Sequence, residues 1–474
     1  MDPEKNRIPE DVKRIHLIAV CGTAMGALAC MLKELGYEVT GSDQKVYPPM
    51  SDFLREKGVV IADGFHADHL AYGPDLVVVG NAVSRDNAEA RAVAAMGLPY
   101  CSMPQALNHF GVADKQSVLI TGTHGKTTTS ALMAWVLFRA GLDPTYMIGG
   151  IVKNFNSNYR IGQGPYVVIE GDEYDTAFFD KGAKFMHYSP RLTILTSVEF
   201  DHADIFTDFE HVRRTFERFI GGLSSRSDLV AWGDDPTVVA VSGRTSGATA
   251  LYGTGAGLDY QLRNLRIEPP FSLFDIAEKN GAVIDGFRVP LAGEHNLLNT
   301  LAVIVAASKL GVPLETTRAA LESFASVKRR QEVRGVKAGI TVMDDFAHHP
   351  TAVRETIRAL KPFYTKGRLI AVFEPRTNSS MRKVFQEVYP ASFDQADLIC
   401  IRKPPLLEKI PAGERFSSEK LAADIAARGK QAHFFDDTGE IIDFVKQEAR
   451  AGDLVLIMSN GGFDNIHARL LDSL

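Results

Sequence analysis

The chain has 474 residues, 45% apolar and 23% charged, and its 58 acidic and 52 basic side chains leave a net charge of −6. That length exceeds what one hydrophobic core serves and predicts about three domains. The slight acidity excludes a general nucleic-acid binder, and the lack of any run of about 18 apolar residues excludes an ordinary membrane span.

The N-terminal stretch MDPEKNRIPEDVKRIH is charged and has no apolar segment of the signal-peptide kind. HLIAV (16–20) predicts a first strand, followed by the turn CGTAMG, a helix, a second strand and an acid, Asp43. This order resembles a dinucleotide fingerprint, in which turn glycines let the backbone approach a pyrophosphate at a helix N-terminus. Gly22 and Gly26 are present, but Cys21 and Ala24 stand where the full pattern wants glycine. The reading is a pyrophosphate-bearing ligand other than NAD, held around Gly22, Thr23, Ala24, Met25 and Asp43. A nicotinamide-dependent dehydrogenase and a plain strand–turn–helix with a packing glycine are the alternatives. LVVVG (76–80) is the next clear strand, and its turn GNAVSRDN adds Asn81 and Ser84 to the same crevice. Cys21, Cys30, Cys101 and Cys400 lie far apart with no C-x-x-C pair, which predicts reduced thiols and a cytoplasmic protein.

HFGVADKQS (109–117) reads as a domain boundary, and SVLIT (117–121) as the strand after it. That strand runs into ITGTHGKTTTS (120–130), where Gly125-Lys126-Thr127 ends like a phosphate loop but Ile120 occupies the place of its first glycine. Backbone N–H groups of Gly122, Thr123, His124, Gly125, Lys126 and Thr127 suit phosphate oxygens, and the Lys126 ammonium and Thr127 hydroxyl suit a triphosphate with Mg²⁺. Strands YVVIE (166–170) and TILTS (193–197) lead into Glu170, Asp172, Glu173 and Asp175, and into Glu199, Asp201, His202 and Asp204. Two or three of these acids are expected on metal, the rest being solvated loop acids and helix caps. LAVIVAASKLGV (301–312) reads as a buried helix, and SVKRRQEVRG (326–335) as a basic connector. ITVMDD (340–345), LIAVFE (369–374) and LVLIMS (454–459) are the last strands. Strands alternating with helical patterns predict α/β architecture with mostly parallel sheets, in domains 1–112, 113–326 and 327–474.

GTHGKTTT, EGDEYD, the V-E-x-D-H stretch (198–202), GEHNLLN (293–299) and DDFAHHP (344–350), in this order, resemble the Mur ligase family across almost the whole chain. The shortened phosphate loop is that family's form. The resemblance implies a Rossmann-like N-terminal domain for a UDP-sugar, a central P-loop ATPase-type domain and a Rossmann-like C-terminal domain for the amine. It implies an ATP-dependent amide ligase that activates a carboxylate as an acyl phosphate, with Mg²⁺. Lys126 then stabilises the transferring phosphoryl, Thr127 and Glu173 hold the metal, and His202 a second metal. Gly122 to Thr128 hold the phosphates (Thr128 included), Asn296 contacts adenine, Asp345 the ribose or its loop, and Arg330 and Arg376 offer guanidiniums to phosphate or carboxylate. His295 closes the site or packs in the core, His348 and His349 lie over the nucleotide, and Arg329 and Arg330 are otherwise a solvated linker.

One departure narrows the branch. Many members carry a carbamylated lysine after the D-H motif, but between Lys184 and Lys279 this chain has no lysine. That groups it with enzymes acting on UDP-N-acetylmuramate itself. FEPRTNSSMR and MSNGGFDNIH (458–467) differ from the alanine-adding pattern and resemble members that take the murein tripeptide L-alanyl-γ-D-glutamyl-meso-diaminopimelate. The expected partners are therefore UDP-N-acetylmuramate and that tripeptide, with L-alanine as the alternative amine, on a monomer or weak homo-oligomer. A nucleotide-gated binding module is the rival of another class.

Overall fold

The computed structural model describes every residue except Lys45, residues 47–49 and Ala113; Ala113 lies in the expected boundary 109–117, so that part of the expectation falls outside the described residues. The chain forms two compact units, one of Met1–Val198, Val212–Gly255 and Ala302–Ala320, the other of Glu199–His211, Ala256–Leu301 and Leu321–Leu474.

The first unit contains two sheets. Strands β1 (Arg14–Ile18), β2 (Glu38–Asp43), β3 (Val60–Asp63), β4 (Leu76–Val79) and β5 (Tyr100–Ser102) form a parallel sheet in the order β3-β2-β1-β4-β5. Ile15, Leu17, Ile18 and all four residues of β4 are fully buried, as a strand covered on both faces requires. The second sheet takes β6 (Gln116–Thr121), β7 (Thr145–Val152), β8 (Ser157–Arg160) and β9 (Tyr166–Gly171). After the small hairpin β10 (Asp175–Ala177) and β11 (Asp180–Ala183), it adds β12 (Leu192–Leu195), β13 (Asp228–Trp232) and β14 (Ala248–Gly253). Their order is β14-β13-β12-β6-β9-β7-β8, parallel except at the β7–β8 edge. The phosphate-turn strand β6 thus stands between β12 and β9, so the strand-end acids predicted on β9 open beside it.

The second unit holds an antiparallel meander, β15 (Tyr260–Glu268), β16 (Phe271–Glu278) and β17 (Val283–Val289), which the alternation of strand and helix had not predicted. Its larger sheet comprises β18 (Glu332–Lys337), β19 (Ile340–Asp345), β20 (Leu369–Phe373), β21 (Leu398–Arg402), β22 (Gln431–Phe435) and β23 (Leu454–Met458). The order is β18-β19-β23-β20-β21-β22, parallel apart from the β18–β19 edge. Helices Pro350–Leu360, Tyr389–Ser392 and Ser418–Ala427 bury Val353, Ile357, Tyr389, Leu421 and Ile425 on one face. Thr438–Glu448 and Ile466–Ser473 bury Ile441, Val445, Ile466 and Leu470 on the other. All eight strands expected from the sequence are present, one of them (340–345) with both ends as expected and the others with ends shifted by at most two residues. Among the described residues no helix is long and apolar enough to cross a membrane.

Candidate active site

The phosphate turn forms because β6 ends at Thr121 and the helix Lys126–Arg139 starts four residues after Gly122. Gly122 has φ +131°, and a Cβ there would lie 2.2 Å from Thr196 Oγ1 and 2.8 Å from the Ser197 nitrogen. Gly125, at φ +81°, precedes the helix as its cap. The residues just past β12 brace the turn: Thr123 N–H donates to Ser197 O (3.1 Å), His124 N–H to Ser197 Oγ (2.9 Å), and Thr196 Oγ1 to His124 O (2.6 Å). Sequence reasoning missed Thr196 and Ser197; their signal was the strand-end TS of TILTS.

Lys126 Nζ donates to Gly122 O (2.6 Å) and to Glu173 Oε2 (2.8 Å), with Glu173 only 2% exposed. Burial works against its ammonium, but attraction to Glu173 and Asp172 outweighs that and raises its pKa above the ordinary lysine range. Thr127 Oγ1 donates instead to Glu170 Oε2 (3.1 Å), and Gly149 N–H holds the other Glu170 oxygen at 2.7 Å. The sequence reading put Thr127 and Glu173 on one metal; the structure pairs Glu173 with the lysine and Glu170 with the threonine. The reason is register: β9 pairs with β6 so that Glu170 stands opposite Ile120, and Glu173 lies beyond the strand in the following turn. Asp172 faces Lys184 Nζ at 3.0 Å; burial alone would raise its pKa, but Lys184 and Lys126 hold it lowered.

In the first sheet the helix Thr23–Glu34 begins directly after its cap Gly22, so Thr23, Ala24 and Met25 form its first turn. A Cβ at Gly22 would meet only Ala19 O, at 3.7 Å, so nothing in the fold itself demands glycine there. Asp43 Oδ2 accepts from Cys21 N–H (2.9 Å) and so orders the turn from within. Asn81 and Ser84 are exposed in the turn after β4.

The second unit carries the other candidates. Asp201 Oδ1 accepts from His202 N–H (2.7 Å), and His202 itself is left-handed, at φ +52°. Burial would raise the Asp201 pKa, but His348, 3.8 Å away, and His202 hold it well below the usual range. His349 Nδ1 accepts from Thr351 N–H (3.2 Å), so Nε2 carries the proton it donates to Phe200 O (3.1 Å). Thr351 Oγ1 donates to Glu199 Oε2 (2.7 Å). Asp345 accepts from Gln331 and Ala347 N–H, both at 2.8 Å; burial raises its pKa. Arg330 lies 4.4 Å over the Phe346 ring, and Arg329 donates to Ser459 O and Gly461 O (2.6 and 2.7 Å). Buried Asn296 donates to Ala292 O (2.9 Å), and His295 packs beside Gly293. Arg376 reaches Glu374 at 3.7 Å, and its loop is tied to the D-H stretch by Asn378–Asp204 (2.8 Å) and Ala203–Ser379 (3.0 Å).

Models of three Mur ligase domains match the chain in succession. The "Mur ligase family, catalytic domain" covers residues 14–114, the "Mur ligase middle domain" 120–307, and the "Mur ligase, glutamate ligase domain" 329–461. The chain is 38% identical over 467 residues to the UDP-N-acetylmuramate–L-alanyl-γ-D-glutamyl-meso-2,6-diaminoheptandioate ligase of Escherichia coli (strain K12), covering 97% of this chain and 98% of that relative. It is 32% identical over 468 residues to the UDP-N-acetylmuramate–L-alanine ligase of Syntrophomonas wolfei, covering 98% and 97%. The crystal structure of a murein peptide ligase from Psychrobacter arcticus 273-4 superposes with a TM-score of 0.73 at 32% identity, covering 98% of each chain. A likeness of this identity sustained from end to end reaches past the fold to common descent, and the chain belongs to the Mur ligase family.

Proposed function

We propose that this chain is an ATP-dependent ligase that joins the carboxylate of UDP-N-acetylmuramate to the amine of L-alanyl-γ-D-glutamyl-meso-diaminopimelate. The observation that carries the reading is the turn at 122–127, where Lys126 faces Glu173 just past β9 and Thr127 faces Glu170 on β9, in a chain 38% identical to a relative of that name. Residues 1–112 take the UDP-sugar through Gly22 and the helix turn Thr23–Met25, with Asn81 and Ser84 alongside. Residues 113–326 take ATP, and 327–474 the peptide.

The substrate carboxylate attacks the γ-phosphorus, the bond to the ADP oxygen breaks, and an acyl phosphate results. The free amine then attacks the acyl carbon, and the C–O bond to phosphate breaks. Lys126 leaves Glu173 and turns to the triphosphate, neutralising charge as the phosphoryl moves. Thr127 Oγ1 and Glu170 Oε2 are two hard oxygens 3.1 Å apart, close to the spacing of adjacent ligands in an octahedron of radius about 2.1 Å, and so fit Mg²⁺. When bound, the ion screens the phosphate oxygens from the incoming carboxylate. His202 retains the metal-side role implied by the family, and Arg376 a place beside the acceptor. The nucleotide substrates and four free thiols fit a cytoplasmic enzyme.

The test supplies UDP-N-acetylmuramate and ATP with L-alanine or the tripeptide and weighs the product. A tripeptide adduct with stoichiometric ADP supports the reading. An alanine adduct alone makes this the alanine-adding enzyme, which the 32% relatives favour. No ADP release with either amine refutes a ligase.

A further inference from the structure

In the larger sheet of the second unit the connections change face at β23. The helices after β19 and β20 pack on one side and the helix after β23 on the other. Open parallel sheets bind ligands at the carboxyl ends of strands beside such a change. The register row Ile401–Phe373–Met458 closes the ladder there, and the next residues are Arg402, Glu374 and Ser459. Glu374 is fully buried; Ser459 Oγ donates to its Oε2 (2.7 Å) and Arg402 Nη1 to its Oε1. The other arm, Arg402 Nη2, donates to Asp464 Oδ2 (2.7 Å).

Asp464 reaches that arm only by an unusual backbone. Phe463, Asp464 and Asn465 have φ of +45°, +47° and +54°, three successive non-glycine residues in the left-handed region. Such conformations persist where the surroundings over-determine them and cluster at binding sites. Here two donors hold the carboxylate, Arg402 and Thr438 Oγ1 (2.7 Å), although the Asp464 side chain is 51% exposed. A guanidinium with one arm fixed by a buried acid and the other on a solvent-facing carboxylate is a fork already set for a carboxylate ligand.

We propose that Arg402 is the subsite for a distal carboxylate of the acceptor peptide, and that Asp464 is an internal stand-in displaced when the peptide binds. This rests on the peptide-ligase reading above, since free L-alanine has no carboxylate beyond the one next to its amine. Arg402 thereby selects peptide over single amino acid.

The experiment measures steady-state kinetics of the full chain with the tripeptide, for wild type, Arg402→Gln and Asp464→Asn. Arg402→Gln is expected to raise the tripeptide KM at least tenfold, leaving the KM for ATP in place. Asp464→Asn, which removes the competitor, is expected to lower the tripeptide KM about threefold. The opposite signs separate a binding role from a structural one, since a merely structural pair weakens binding from either side. A tripeptide amidated at its free diaminopimelate carboxylates is expected to bind wild type as poorly as the free peptide binds Arg402→Gln. Equal KM for wild type and Arg402→Gln, or a raised KM in both variants, overturns the proposal while tripeptide ligation by wild type stands. Failure of wild type to ligate the tripeptide overturns both readings. Should Arg402→Gln fail to fold, Arg402→Lys, which keeps the charge and loses the fork, is expected to raise the same KM.

Discussion

Removing the Lys126 ammonium has two separable consequences. Its side chain is 12% exposed and that of Glu173, 2.8 Å away, 2%. Breaking a buried pair by deleting one partner costs about 3–5 kcal/mol, because the remaining charge stays desolvated. The lower figure applies here, about 3 kcal/mol, since the lysine retains some contact with water. Lys126→Met should therefore destabilise the first unit by that amount at neutral pH and also lower turnover by roughly 10²–10³-fold through loss of the phosphoryl-facing charge. The double variant Lys126→Met/Glu173→Gln should regain most of the stability and none of the turnover. Since the folded pKa of Lys126 is raised, the wild-type pair's contribution is complete below the unfolded lysine value of about 10.4 and declines only as pH rises beyond it. Urea unfolding followed by circular dichroism, with ADP release on the same samples, measures both effects. Equal stability of Lys126→Met and wild type, or of the single and double variants, refutes the pair as a structural element. Turnover by the double variant near the wild-type rate refutes Lys126 as the phosphoryl-stabilising cation.

Three further outcomes follow from the same geometry. Glu170→Gln should keep the fold, because an amide oxygen still accepts from Gly149 N–H, yet lower turnover by about 10²-fold and raise the magnesium requirement; a larger magnesium shift in Glu173→Gln would return the metal to that residue. Gly122→Ala forces a left-handed backbone and a 2.2 Å contact with Thr196 Oγ1, so a loss of about 2–4 kcal/mol and of ATP binding is expected, and a fully active, equally stable variant contradicts the turn's geometry. Asp228 is held by Arg191 and by Lys309 at 3.2 Å; burial would raise its pKa, but these partners keep it lowered. Its stabilisation is therefore present above about pH 4 and lost as pH falls through the folded value. Asp228→Asn should cost about 1 kcal/mol at pH 7 and progressively less below pH 4, and a gap independent of pH in denaturant titrations argues against it.

Local signals settled more of this protein than their shortness suggests. Short apolar runs, nearly all followed by polar or glycine-rich residues, marked the eight expected strands, since a doubly covered parallel strand must be apolar along its whole length. The spacing in GTHGKTTT located the phosphate turn because only glycine tolerates φ +131° against Thr196. Tertiary structure alone decided which acid serves which partner. Glu170 and Glu173 are three residues apart and chemically alike, and they are sorted by the pairing of β9 with β6, whose partners lie some fifty residues apart. The inward place of β23 between β19 and β20, which sets Ser459, Glu374 and Arg402 in one row, is likewise a long-range pairing. Side-chain alternation and turn chemistry act over a few residues and are written in the sequence; strand neighbours are chosen by burying whole faces against each other, which no short stretch records.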